Sequence, residues 1–240
     1  MLGAGVFSLK TKAVLFDLGN TLVTYEVAHE VIFQRVLDSL GISRPVDEIK
    51  EALAKTEQDF ADLNYRSLFG KISCEEYWTK WDSLVLGHLD VAKSEELAGD
   101  IQARWFDYVN CEACSGAREV LSKLKKMGLK TGLISTAYEE EIAMIFGKAN
   151  IEKGLFDVIV GADTVRKGKP HLDVFKYALK KLNVKPEEAA FVGDSVDADY
   201  NGAENVGVKA ILMQKKEDNV KRNSRLRTIT GLEGIFEYID

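Results

Sequence analysis

The sequence predicts an α/β fold, a doubly wound parallel sheet with a helical bundle inserted after its first strand. Two observations predict it. Five short apolar runs have the length and composition of buried parallel strands, and from the second run onward they alternate with amphipathic segments of helical period. A long segment without any strand pattern separates the first run from the second.

Each predicted strand is a run of five or six residues rich in Val, Ile, Leu or Phe. The five runs are 13–18, 130–135, 157–161, 189–193 and 209–213. The segments with helical period that lie between these runs are 117–127, 139–149, 171–182 and 198–205. Strand alternating with helix implies a sheet covered on both faces, and in such sheets ligands bind at the carboxyl ends of the strands.

The inserted segment contains the helix start and stop signals that are typical of a helical bundle. Four helices are predicted, at 26–40, 46–68, 73–89 and 94–109. Ser73 followed by Glu76 predicts a capping box at the start of the third. We therefore expect two domains, a core of residues 1–24 and 112–240 and a cap of residues 25–111. The cap holds all three tryptophans, which either fill the bundle or, for a subset facing the sheet, line a substrate pocket.

Composition narrows the classes of function. The chain has 38 acidic against 32 basic residues, a net charge of -6, so nucleic acid is not an expected partner. No stretch approaches the roughly 20 apolar residues of a membrane span. Three cysteines are too few for a disulfide framework, which predicts a reducing, cytoplasmic setting. Cys111 and Cys114 are read as ordinary thiols, with a disulfide as the alternative. A monomer and a homodimer are both compatible with the sequence.

Polar residues follow the predicted strands. Asp17, Ser135 and Asp194 lie at the ends of three apolar runs, and Lys169 lies in the loop after a fourth. Singly, these residues could be a turn residue, a helix cap or a solvated charge. Together, at one edge of a sheet, they predict a functional site.

These residues belong to four short motifs that resemble those of the haloacid-dehalogenase-like superfamily. They are FDLGNTL at 16–22, LIST at 133–136, KP at 169–170 and VGDS at 192–195, the last followed by Asp199. Their order and spacing agree with the family, and so does a helical cap of the C1 type inserted after the first strand. The resemblance covers nearly the whole chain and implies a hydrolase, most readily a magnesium-dependent phosphatase of a small phosphorylated substrate.

The resemblance implies a role for each motif. Asp17 would be the nucleophile that forms an aspartyl phosphate. Mg²⁺ would be held by the Asp17 and Asp194 carboxylates and the backbone carbonyl of Gly19, neutralising the repulsion between two anions. Ser135 and Lys169 would complete the catalytic group by stabilising the phosphoryl oxygens.

Further positions are implied around this group. Leu18, Gly19 and Thr136 would bind the substrate together with Ser135 and Lys169. Asp199 would not contact the substrate itself but would orient Lys169 or metal-bound water. Lys167 competes with Lys169, and Asp197 with Asp199, but the motif spacing favours Lys169 and Asp199.

One position departs from the family pattern. Phosphatases of this family usually carry a second aspartate where this chain has Gly19, and that residue protonates the leaving oxygen. Its loss predicts a slower enzyme, since a general acid or base contributes about 10² to 10⁴ in rate. It also predicts a preference for aryl or acyl phosphates, whose leaving groups need little protonation. Asn20, Glu26 and His29 are candidate substitutes.

Two alternatives stay open. Haloacid dehalogenases also lack the second acid, although they need no metal and do not keep the G-D-S run. A non-catalytic member of the family would bind a phosphorylated ligand or a protein through the cap. Within the cap, the expected substrate contacts are Arg35, Tyr65, Arg66, Trp78 and Arg104.

Overall fold

A computed structural model describes residues 10–92, 94–214 and 226–239. Its main sheet has six parallel strands in the order β5-β4-β1-β6-β7-β8, and β2 and β3 form a separate antiparallel ribbon. The strands are β1 Ala13–Phe16, β2 Val23–Tyr25, β3 Cys111–Ala113, β4 Lys130–Ile134, β5 Val158–Val160, β6 Ala189–Gly193, β7 Lys209–Met213 and β8 Thr228–Ile229. The predicted doubly wound α/β fold is confirmed.

Helices cover the sheet and build the insert. The insert contains α1 His29–Ser39, α2 Val46–Asp62, α3 Cys74–His88 and α4 Ser94–Tyr108. The core contains α5 Ala117–Lys126, α6 Glu139–Ala149, α7 Ala162–Val165, α8 Leu172–Leu182 and α9 Gly202–Glu204. Short 3-10 turns lie at Tyr65–Leu68, Lys153–Leu155, Pro186–Glu188 and Leu232–Glu237. None of the helices described is long and apolar enough to cross a membrane.

Strand β1 shows why the sheet needs helices on both faces. Successive side chains of a strand point to opposite faces, and all four residues of β1 are fully buried. Val14 and Phe16 pack into the cluster that contains α5, α6 and the insert. Ala13 and Leu15 pack into the cluster that contains α8. A strand buried on both faces is a continuous apolar run, as the sequence indicated.

Three predicted helices are wrong at their ends, each for a local reason. The helix predicted at 46–68 stops at Asp62, because Asn64 adopts a left-handed conformation with φ 57° and a 3-10 turn follows. The helix predicted from residue 26 begins at His29, because Ala28 is still in an extended conformation with φ -68° and ψ 153°. The predicted helix 198–205 is instead a π-helical turn, Val196–Asn201, followed by α9. By contrast, the predicted capping box at Ser73 is present.

The ribbon is the connection between core and insert. Tyr25 pairs with Cys111 and Thr24 with Glu112, so the outgoing and returning chains lie side by side. The predicted cap boundaries, residues 25 and 111, fall within this ribbon, and the division into two domains stays a prediction. Cys111 and Cys114 form no disulfide in the described part of the chain.

Candidate active site

The loop after β1 presents Asp17 at the edge of the sheet. The Asp17 N–H extends the strand pairing by donating to Val192 O at 2.8 Å. A tight turn follows, in which Asn20 N–H donates to Val23 O at 2.7 Å and Leu22 N–H donates to Leu18 O at 2.9 Å. Asn20 occupies the left-handed region with φ 54°, which Asn tolerates better than most residues. The Asp17 side chain is therefore held on a fixed backbone, and the residue is only 7% exposed.

Lys169 lies between two carboxylates. Its Nζ donates to Asp17 Oδ1 and, at 2.6 Å, to Asp199 Oδ1. The side chain of Lys169 is 3% exposed. Burial alone would lower the pKa of Lys169, but the two carboxylates outweigh it and raise that pKa above its ordinary value. Lys169 is therefore a fixed positive charge, and Asp199 is the residue that holds it in position.

Positive charge is nonetheless scarce at this site. Burial raises the pKa of Asp17 to about 6, because the attraction of Lys169 offsets only part of the desolvation and Asp199 adds repulsion. Burial and the nearby Asp199 also raise the pKa of Asp194. Carboxylate oxygens of Asp17, Asp194 and Asp199 all lie within 4.8 Å of one another. Three carboxylates around one ammonium leave an excess of two negative charges, and these hard oxygen donors fit a divalent cation such as Mg²⁺.

Asp199 is held by backbone as well as by Lys169. Ser195 N–H donates to Asp199 Oδ2 at 3.0 Å, and Ser195 Oγ accepts from Ala198 N–H at 3.1 Å at the start of the π-helical turn. The carboxyl group of Asp199 also packs against Gly193. A Cβ added at Gly193 would lie closer to Asp199 Cγ than any van der Waals contact allows, so a larger residue at that position would force the Asp199 side chain to move.

Ser135 and Thr136 follow β4 on the other side of Asp17. Ser135 N–H donates to Val160 O at 2.9 Å, and its buried Oγ accepts from Ala137 N–H at 3.1 Å. The backbone contact fixes the hydroxyl oxygen while its proton stays available to a ligand. The helix that follows begins at Glu139 with Tyr138 as its N-cap, so Ser135 is not a helix cap, and ligand binding is the interpretation of Ser135 that stays open.

All eight predicted site residues line one cavity of about 240 Å³, namely Asp17, Leu18, Gly19, Ser135, Thr136, Lys169, Asp194 and Asp199. The competing residues do not line it. Lys167 instead pairs with Asp173 at 2.7 Å, and Asp197 accepts from Asn201 Nδ2 at 3.2 Å. The motif spacing thus selected the residues that converge.

Sequence reasoning missed four residues of this cavity: Tyr25, Ala137, Ser195 and Ala198. Ser195 stands inside the fourth motif and could have been included from its spacing. Tyr25 gave no signal, because its position depends on the pairing of β2 with β3.

Most of the substrate contacts expected from the cap are not supported. Arg66 forms an ion pair with Glu57 at the surface, and Arg104 Nη1 donates to Ser39 O at 3.0 Å. Tyr65 packs edge-on against Phe60, and Arg35 is exposed. Trp78 alone among the five lines a cavity between the cap and the core.

The fold and the site define a class of enzyme. The family model of haloacid dehalogenase-like hydrolases matches residues 14–213, and the chain belongs to that family and is a hydrolase. A glyceraldehyde 3-phosphate phosphatase of Pyrococcus furiosus is 29% identical over 209 residues, which cover 84% of this chain and 80% of the relative. Pyrophosphatase PpaX of Bacillus cereus is 29% identical over 203 residues, which cover 84% and 82%. The fold is also that of YfnB of Bacillus subtilis, a HAD-hydrolase structure bound to magnesium, with a TM-score of 0.71, 17% identity and coverage of 96% and 99%.

Proposed function

We propose that this hydrolase is a magnesium-dependent phosphatase of small phosphorylated metabolites and that Asp17 is its nucleophile. The observation that carries the proposal is the excess of acid in the site, where Asp17, Asp194 and Asp199 surround the single ammonium of Lys169. A phosphate ester brings further negative charge to such a site, so a dication is required beside it. The two phosphatases among the relatives support the same chemistry.

The proposed metal ligands are the carboxylates of Asp17 and Asp194 and the backbone carbonyl of Gly19. Asp199 is less available, because both of its carboxylate oxygens already accept hydrogen bonds, from Lys169 and from Ser195 N–H. Bound Mg²⁺ would supply neutralisation of charge between nucleophile and phosphate.

The side chains of the protein carry out the other steps of the proposed reaction. An Asp17 carboxylate oxygen attacks phosphorus, a new O–P bond forms, and the bond from phosphorus to the leaving oxygen breaks. Lys169 and the Ser135 hydroxyl stabilise the phosphoryl oxygens, while Leu18, Gly19 and Thr136 shape the walls around them. Water then attacks the aspartyl phosphate, which releases phosphate and restores the Asp17 carboxylate.

Leaving-group protonation is the weak step in this scheme. The cavity residues in the described part of the chain include no carboxyl group besides Asp17, Asp194 and Asp199, which already have roles. Of the candidate substitutes, Asn20 hydrogen-bonds Asp194, and His29 lies against Trp105 in the neighbouring cavity. The backbone does not exclude an acid at position 19, since a Cβ there would have Tyr25 Cε2 at 3.6 Å as its nearest neighbour.

Gly19 also favours a second candidate, a 2-haloacid dehalogenase, because a halide leaves without a proton. The carboxylate of Asp194 argues against it, since a metal-free reaction gains nothing from added negative charge beside the nucleophile. The proposed setting is the cytoplasm, as a monomer or homodimer, with the cap at residues 25–111.

The test is hydrolysis of 4-nitrophenyl phosphate with and without Mg²⁺. We expect turnover that is lost on chelation and that falls by roughly 10³-fold or more in Asp17→Asn. Asp197→Asn is the matched control, since Asp197 is an exposed neighbour of the site that bonds only Asn201 among the contacts described above. Chloride release from 2-chloropropionate without metal would establish the dehalogenase instead. Absence of both reactions would favour a binding protein.

A further inference from the structure

A second cavity, of about 360 Å³, lies between the cap and the core. It adjoins the active-site cavity, because Tyr25 and Ala137 line both. Its cap wall carries all three tryptophans of the chain, Trp78, Trp81 and Trp105. An apolar cavity of about 150 Å³ is enough to hold benzene, so this one has room for a substituted or fused aromatic ring.

The tryptophans also pack within the bundle, but that packing does not cover the whole surface of their rings. Trp81 lies edge-on to Phe60, and Trp105 lies edge-on to Phe33, both inside the cap. Each nevertheless keeps part of its ring on the cavity wall. Large aromatic surface facing an open cavity is unfavourable in water and becomes favourable when a flat apolar group covers it.

Polar atoms on the same wall have unused hydrogen-bonding capacity. Trp81 Nε1 is buried and has no acceptor among the described residues. Leaving such a donor unpaired costs about 1 to 3 kcal/mol. Beside it, Asp82 is 3% exposed and accepts a hydrogen bond from Gln102 Nε2.

We propose that this cavity, defined by Trp78, Trp81 and Trp105, binds the leaving group of the substrate and selects aromatic phosphate monoesters. The inference rests on the proposed phosphatase function and specifies its substrate class. The absence of an acid at Gly19 points independently to the same class, because an aromatic alcohol leaves with its electron pair more readily than an alkyl alcohol and depends less on a proton donor.

The first arm of the experiment measures binding without turnover. Benzylphosphonate and methylphosphonate share a non-hydrolysable anionic head and differ by one ring. With Mg²⁺ present, we expect benzylphosphonate to inhibit phosphate release with a Ki roughly tenfold or more below that of methylphosphonate. Because all three tryptophans line the cavity, 4-nitrophenol should quench tryptophan emission in a saturable way, whereas glycerol should not.

The second arm changes the cavity. Val27 is a partly buried lining residue that packs against the core, and Val27→Phe fills cavity space with a larger apolar side chain at that position. We expect the Ki of methylphosphonate divided by that of benzylphosphonate to fall toward one in Val27→Phe. If Val27→Phe does not fold, the same fall is expected in Trp105→Leu. The control is Leu63→Ala, since Leu63 is an apolar cap residue that is 51% exposed and lies outside the cavity. Its ratio should match the wild type.

The outcomes separate the two proposals. Equal inhibition by both phosphonates, or a ratio that survives both cavity variants, overturns the aromatic site. Absence of saturable quenching by 4-nitrophenol overturns it as well, whether or not phosphate is released. Quenching without phosphate release from any ester overturns the proposed phosphatase and the substrate class, and leaves a site for the aromatic ring alone.

Discussion

Replacing Asp82 by Asn should make the cap more stable at neutral pH. Asp82 lies on α3, is 3% exposed and accepts a hydrogen bond from Gln102 on α4. Burial raises the pKa of Asp82 to about 8, and the bond from Gln102 offsets this only in part. In the unfolded chain the same carboxyl has a pKa near 3.9. Asn keeps an oxygen acceptor for Gln102 but has no proton to lose.

The sign follows from proton binding. Between about pH 4 and pH 8 the folded protein keeps the proton on Asp82, whereas the unfolded chain has released it. The unfolded state therefore binds fewer protons, and the free energy of unfolding falls as pH rises through this range. At about 1.4 kcal/mol per pH unit, the loss between pH 5 and pH 7 is about 2 to 3 kcal/mol. The contribution levels off above pH 8.

Urea unfolding at pH 5, 6 and 7, followed by tryptophan emission, measures this difference in the helical insert that holds the tryptophans. The stability of Asp82→Asn minus that of the wild type should grow by about 2 to 3 kcal/mol across the series. Asp62→Asn, at an exposed carboxylate that accepts from Gln58, is the control and should run parallel to the wild type. Parallel curves for Asp82→Asn and the wild type would refute a buried neutral acid at this position.

Three further substitutions test the site. Gly19→Asp should raise kcat/KM on glycerol phosphate by about 10²-fold and by less on aryl phosphates; an unchanged rate in a folded variant contradicts the account of the missing acid. Gly193→Ala should displace Asp199 and lower kcat at least roughly tenfold with the circular dichroism spectrum unchanged, so an unaltered kcat would show that the close contact is dispensable. Asp194→Asn should raise the Mg²⁺ concentration for half-maximal activity by roughly tenfold or more, whereas Asp197→Asn should leave it unchanged.

The sheet could be predicted because a strand that is buried on both faces consists of a continuous run of apolar residues, which is visible in the sequence. The strands at 189–193 and 209–213 match their predicted bounds, since each is a continuous apolar run with polar residues at one or both ends. The two three-residue strands of the ribbon carry no such signal, because much of each is exposed and their pairing joins residues 86 or more positions apart. The break after Asp62 depends on a single left-handed Asn64 that composition did not reveal.

The convergence of the candidate site residues could be predicted for a related reason. Carboxyl ends of parallel strands meet at one edge, and β4, β1 and β6 are neighbours in the sheet, so Asp17, Ser135 and Asp194 lie close together there. The cap offered no equivalent rule, because the rotation of each helix about its axis relative to the core is set by tertiary packing. That is why Arg66 and Arg104 could be named as plausible substrate contacts from the sequence, although Arg66 pairs with Glu57 and Arg104 donates to Ser39 in the structure.

Asp17 and Asp82 show two ways of tolerating a buried carboxyl group. Asp82 has no cation beside it and stays neutral by keeping its proton, which suits a wall that binds uncharged aromatic surface. Asp17 cannot use that solution, since a protonated carboxyl is a poor nucleophile. In its proposed role it must be ionised, and Lys169, shared with Asp199, offsets only part of the burial that raises the pKa of Asp17 to about 6. The excess of negative charge in the active site is therefore the physical reason to expect a dication there. Because Asp82 is neutral, the cavity that it lines gives no such reason to expect a dication.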